Sequence, residues 1–231
     1  MTPPAAHVKV DIGHEQVDAV MAIPTSGSGA AVLVIQEWWG LVPHIRDVVQ
    51  RLADDGFVAL ALDHYRGAQA DEPDEAGKLM LGLRIEQVAA DLAGAAEWLV
   101  ARPEVTREQV CVVGFCMGGG LALLAPTVSP LIRCASAFYP ATPWPDFAPD
   151  WSGYSGRFAV VHKAESDEGR MGAVIEGIAQ AIRAAGGQVD VYAYPGTHHA
   201  FFNDDRPEVY NPSAASLAWE RTLDFFRAHA R

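Results

Sequence analysis

The chain has 231 residues, half of them hydrophobic, and a net charge of −12 from 17 Lys and Arg against 29 Asp and Glu. That length suits one sizeable α/β core, and the acidic balance, with no basic run to reverse it, excludes nucleic acid as an expected partner. No apolar run reaches the roughly 20 residues of a membrane span, no charged-then-apolar leader opens MTPPAAHVKV, and three cysteines without a CxxC pair fit a reduced, cytoplasmic setting rather than a disulfide framework.

VKVDI (8–12) and VDAVMAI (17–23) alternate apolar and polar residues and predict an N-terminal hairpin. AVLVI (31–35) and FVALAL (57–62) are continuous apolar runs, as in strands buried on both faces, and an amphipathic helix over 45–56 separates them. Residues 74–101 predict helix with a break near Gly82. QVCVVGF (109–115) is a strand, and MGGGLALLAP (117–126) a helix limited by Pro126. Strand CASAFY (134–139) precedes a Pro-, Trp- and Gly-rich loop over 140–156, expected to form part of a mouth over the site. Strand RFAVVHK (157–163), a helix over 171–186, strand QVDVYAY (188–194) and a closing helix over 213–229 follow. The βαβα alternation predicts one α/β domain over 1–231, a mostly parallel sheet with helices on both faces.

GFCMGGG (114–120) carries the G-x-S-x-G frame of a nucleophile elbow, with Cys116 where serine usually stands. A sharp strand-to-helix turn needs glycines at 114 and 118, because side chains there would meet neighbouring backbone. Such a turn lifts Cys116 to a helix N-terminus, where the dipole favours a thiolate and the Met117 amide can bind an oxyanion. The competing reading is a buried thiol in a glycine-rich turn. Cys111 and Cys134, inside apolar strands, read as packing.

An elbow nucleophile needs a histidine and usually a carboxylate, in the chain order nucleophile, acid, histidine. AESDEG (164–169) follows a strand and offers Asp167, with Glu165 and Glu168 as rivals. PGTHHAFFND (195–204) follows the last strand and offers His199, with His198 as its rival. QEWWGL (36–41) places Glu37 at the end of a core strand, in the loop that supplies a second oxyanion amide. Glu37 reads equally as a catalytic group or as an ion-paired strand-end glutamate. The remaining histidines, His7, His14, His44, His64, His162 and His229, show no ligand spacing, so no metal and no cofactor are expected. Trp38, Trp39, Phe115, Tyr139 and Trp144 are candidates for an apolar substrate pocket.

QEWWGL, ALDHYRG (61–67), GFCMGGG, AESD and YPGTHHAFFND together resemble the dienelactone hydrolase family over essentially the whole chain. The resemblance implies an α/β-hydrolase fold with a minimal cap and a carboxylic ester hydrolase of the carboxymethylenebutenolidase type. It implies a Cys116–His199–Asp167 triad, with Glu37 beside the thiol and the amides of Trp38 and Met117 as the oxyanion hole. It also implies arginines that hold a substrate carboxylate. One expected position, a few residues past the histidine, reads Asn203 here, and Arg84 lies in the general region of the other. The expected partner is a small ester or enol lactone, and the chain is expected to be a monomer or a weak homodimer. A general carboxylesterase or thioesterase of the same fold is the first alternative; a binding protein and a peroxide-sensing thiol protein are more distant ones.

Overall fold

The computed structural model describes residues 2–144 and 148–230. Among them run the strands β1 (Ala6–Asp11), β2 (Gln16–Ala22), β3 (Gly29–Ile35), β4 (Val58–Leu62), β5 (Val105–Phe115), β6 (Ile132–Phe138), β7 (Phe158–Ala164) and β8 (Gln188–Tyr194). The helices are α1 (Pro43–Asp54), α2 (Pro73–Leu81), α3 (Ile85–Val100), α4 (Met117–Val128), α5 (Arg170–Ala184) and α6 (Pro212–His229). The expected helix over 74–101 is two, parted at Gly82; of the expected loop over 140–156, residues 145–147 lie outside the described ones, and Trp151–Tyr154 form a short 3-10 turn.

The strands form one sheet in the order β1-β2-β4-β3-β5-β6-β7-β8. β1 and β2 pair antiparallel, β2 meets β4 antiparallel, and every pairing from β4 to β8 is parallel. β3 and β4 are buried almost throughout, which explains their unbroken apolar sequence. One face packs on α1 and α6 through Ile45, Val48, Leu52, Ala218 and Phe226. The other packs on α3 and α4 through Val88, Leu92, Ala95, Leu121 and Ala125. A smaller cluster seats α5 on the far strands through Ile175, Ala179 and Ile182 against Ala159 and Val161.

After β3 the chain crosses through α1 to β4, on one side; after β5 it crosses through α4 to β6, on the other. The crevice above the carboxyl ends of β3 and β5 is therefore the switch point where open α/β sheets bind ligands. Glu37 follows β3 and Cys116 follows β5.

Candidate active site

The turn at Cys116 is strained in the way the glycine pattern implies. Cys116 has φ 54° and ψ −118°, a conformation that only a tightly held non-glycine residue keeps. A Cβ at Gly114 would stand 1.9 Å from the Gly118 carbonyl oxygen, and one at Gly118 would stand 2.4 Å from the carbonyl oxygens of Ile35 and Gln36. Backbone fills the space on both sides, so the turn admits no side chain at either position. The Cys116 amide donates to the Phe138 carbonyl at 3.0 Å, and the Ala141 amide donates to the Cys116 carbonyl at 2.9 Å. These bonds fasten the turn to the end of β6. Tyr139 (φ 36°) and Ala200 (φ 67°) are strained beside it.

His199 enters from the loop after β8. Its Nδ1 lies 2.9 Å from Asp167 Oδ1, and the ring and the Cys116 side chain line the same cavity. Asp167 is 4% exposed. The acid and histidine loops are stapled together by four bonds. Ser166 N donates to Thr197 O at 3.1 Å, Glu165 N to Thr197 Oγ1 at 3.2 Å, Gly196 N to Glu165 Oε2 at 2.7 Å, and His199 N to Ser166 Oγ at 2.8 Å. The rival carboxylates are thereby engaged elsewhere: Glu165 on the Gly196 amide and Glu168 on Lys163 Nζ at 2.6 Å. His198 is exposed and outside the cavity lining.

Burial pulls the His199 pKa down, but its hydrogen bonds and charge attraction to Asp167 and Cys116 outweigh it and raise the ring to about 10. An imidazole so placed carries a proton at neutral pH.

Glu37 is 1% exposed and held at both oxygens. Tyr139 OH donates to Oε1 at 3.2 Å, and Asn203 Nδ2 donates to Oε2 at 2.8 Å. Asn203 thus belongs to the support of Glu37. Burial, then the nearby charges of Glu37 and Cys116, hold the Tyr139 hydroxyl well above the ordinary tyrosine range, so it remains a donor. The amides of Trp38 and Met117 donate to no acceptor among the described residues.

A cavity of about 350 Å³ opens over these groups, lined by Glu37, Trp38, Trp39, Cys116, Asp167 and His199. Of the aromatic candidates, Trp38 and Trp39 line it and Trp144 lines a neighbouring hollow. Phe115 is fully buried in the core against Phe138 and Phe202, because it is the last inward residue of β5. Tyr139 lies behind His199 with ring centroids 5.0 Å apart. Arg84 is an exposed residue at the start of α3 and does not line the cavity. Arg206 does, with its guanidinium 5.9 Å from the Trp39 ring and 2.8 Å from Glu208. Met80 and Met171 also line it. No sequence spacing ties these three residues to the elbow; the folding of distant segments brings them there.

Residues 17–230 match the Dienelactone hydrolase family. The chain belongs to this family. A protein of Aquifex aeolicus (strain VF5), provisionally named a carboxymethylenebutenolidase, is 33% identical over 211 residues, which are 88% of this chain and 90% of that protein. A provisionally named dienelactone hydrolase from Klebsiella pneumoniae subsp. pneumoniae MGH 78578 superposes with a TM-score of 0.83 at 27% identity, covering 97% of this chain and 99% of the other. A thermophilic esterase from Thermogutta terrifontis shares the fold, with a TM-score of 0.72 at 18% identity over 97% of this chain and 92% of its own. This dienelactone hydrolase family member is a carboxylic ester hydrolase of the ester or lactone type with an α/β-hydrolase fold. No helix among the described residues is long and apolar enough to cross a membrane.

Proposed function

We propose that the chain hydrolyses a small ester or enol lactone through an acyl thioester on Cys116. The observation that carries this reading is the meeting of Cys116 on its strained turn, His199 and Asp167 in one cavity, with His199 Nδ1 2.9 Å from Asp167 Oδ1. The thiolate of Cys116 adds to the carbonyl carbon. The negative charge that develops on the carbonyl oxygen is met by the Trp38 and Met117 amides; losing one such donor typically costs about 3–4 kcal/mol of barrier. The tetrahedral adduct collapses, the C–O bond to the leaving group breaks, and the His199 imidazolium returns a proton to the departing oxygen. Water then gives a proton to neutral His199 as it attacks the thioester, and the carboxylic acid leaves with restoration of the thiolate and imidazolium. Asp167 fixes the ring tautomer.

Glu37 is the second carboxyl group of the site. Its two donors, Tyr139 and Asn203, keep it seated at the cavity wall, and His199 serves as the partner of the thiol. Thiolates favour carbonyls with good leaving groups, such as the enolate of an enol lactone. Arg206, a cation on the wall of the same cavity, suits a substrate carboxylate where Asn203 replaces the arginine expected from the family. A general carboxylesterase is the second reading; the predominantly apolar wall built by Trp38, Trp39, Met80 and Met171 favours it.

The test mixes wild type and Cys116→Ala with a dienelactone and with an activated aryl ester, following turnover and intact mass. Turnover with an acyl adduct on Cys116, both absent in the variant, supports the mechanism. Turnover that survives in Cys116→Ala refutes it. The preference between the two substrates decides lactonase or general esterase.

A further inference from the structure

The segment between β4 and α3 is pinned at its two ends and loosely held between them. Before it, Gln69 Nε2 donates to the Leu41 carbonyl at 2.9 Å and the Ala70 amide donates to the Trp39 carbonyl at 3.0 Å. After it, Ile85 is buried at the start of α3. α2 lies between these pins. Ala76 is its buried residue, and Leu81 at its end is 64% exposed. Among the described residues, one hydrogen bond joins α2 to a distant part of the chain: Trp144 Nε1 donates to the Met80 carbonyl at 3.3 Å.

α2 has little intrinsic stability to set against this. Its nine residues are fewer than an isolated helix needs in water. Gly77 stands in its middle, and Glu72 at its N-cap position makes no side-chain capping bond. Its order is therefore supplied by the body of the protein, through Leu79 and Met80, partly buried against the α3 and α4 face of the core, and through the Trp144 bond. An element held by so few contacts is among the first to open. Met80 is also a wall of the catalytic cavity, and Trp144 follows Pro143, which lines another wall. The bond between them joins two sides of the site.

We propose that α2 is a lid on the catalytic cavity, that it opens by local unfolding, and that the Trp144–Met80 bond is its latch. The inference goes beyond the hydrolase reading, since it concerns which molecules reach Cys116 rather than what Cys116 then does to them.

The experiment uses the full chain as wild type, Trp144→Phe and Gly77→Ala. The first variant removes the latch and keeps an aromatic ring. The second strengthens the helix, and a methyl at residue 77 meets nothing within 4 Å. Hydrogen exchange read by mass spectrometry reports the opening of residues 77–83. Alkylation of Cys116 by iodoacetamidofluorescein reports access for a reagent too bulky for a closed cavity of about 350 Å³, and iodoacetamide is the small control. In both reagents the sulfur displaces iodide: a C–S bond forms, the C–I bond breaks and the thiol proton goes to solvent. Peptide mass locates the adduct. In wild type, residues 77–83 exchange at least about 100-fold faster than α4. Trp144→Phe speeds both their exchange and the bulky alkylation by about three- to tenfold. Gly77→Ala slows both by about three- to fivefold. Iodoacetamide reacts within about twofold of wild type in all three. Exchange in α2 as slow as in α4, exchange and bulky alkylation that fail to move together, or a Cys116 that neither reagent alkylates overturns the lid. If Trp144→Phe melts far below wild type, Gly77→Ala decides alone: slowing of both processes supports the lid, and no change overturns it. Ester turnover is not read, so a failure of the hydrolase reading leaves these outcomes intact.

Discussion

At the scale of single residues the site is a set of charges held in fixed positions. His199 is raised to about 10 by its partners against the pull of burial. With the His199 imidazolium as the acid of the proposed first step, kcat/KM for an activated ester is expected to hold from neutral pH to an alkaline limb near pH 10, where the imidazolium is lost. A limb near the ordinary histidine value of about 6.5 would show that no ion pair exists in the free enzyme. His199→Ala removes the acid and base together and is expected to lower kcat/KM by roughly 10²- to 10⁴-fold, measured against the same ester. The pair Tyr139→Phe and Asn203→Leu probes Glu37 from its two oxygens. Each variant leaves one buried oxygen of Glu37 unpartnered, and each is expected to cost about 1–3 kcal/mol in urea unfolding.

At the scale of elements, the proposed mechanism depends on two connections: the β5–α4 turn and the staple between the loops after β7 and β8. Gly118→Ala places a methyl against the carbonyls of Ile35 and Gln36, the backbone that leads to Trp38. The expected result is a lower melting temperature, by an overpacking cost of about 1–3 kcal/mol, and loss of turnover, since the oxyanion amides are displaced with the turn. A melting temperature and kcat equal to wild type would show that the turn can widen. Ser166→Ala tests the staple. Ser166 is exposed and contributes an acceptor to the His199 amide, so stability should change by only about 1 kcal/mol while kcat falls through looser placement of the ring.

At the scale of the whole molecule, a polar network lies under the apolar core between β7, β8 and α6. His162 is fully buried, with Nδ1 2.8 Å from Tyr194 Oη and Nε2 2.9 Å from Thr222 Oγ1, which in turn meets Ser136 Oγ at 2.9 Å. Burial, with a smaller contribution from Arg221, lowers its pKa to about 3. Below about pH 6.5 the unfolded chain takes up a proton that the folded chain refuses. His162 therefore contributes stability that is present above pH 6.5 and lost as the pH falls toward 3, by about 1.4 kcal/mol per pH unit at the steepest. His199 has the opposite sign: its contribution is complete below about 6.5 and is lost as the pH rises through about 10. Urea unfolding of wild type and His162→Gln at pH 7 and pH 4.5 checks the first statement. The variant should lose less stability over that interval, and equal losses would place the acid sensitivity elsewhere.

What the sequence by itself determined is local in origin. Continuous apolar runs at 31–35 and 57–62 mark strands buried on both faces, because only such strands can be apolar on both. The glycines around Cys116 mark a turn closed in by backbone, and the order of Cys116, Asp167 and His199 after β5, β7 and β8 follows from the parallel sheet. The tertiary structure decided what depends on distant segments meeting. It engaged Glu165 and Glu168 elsewhere and left Asp167 for His199. It turned Asn203 toward Glu37, 166 residues away, and set Arg206 rather than Arg84 on the cavity wall. It also buried Phe115 and divided the apolar space beside Cys116 in two with the segment 141–144. Residue type and spacing report the face that a side chain takes on its own element; which side chains share a cavity is decided by how those elements cross.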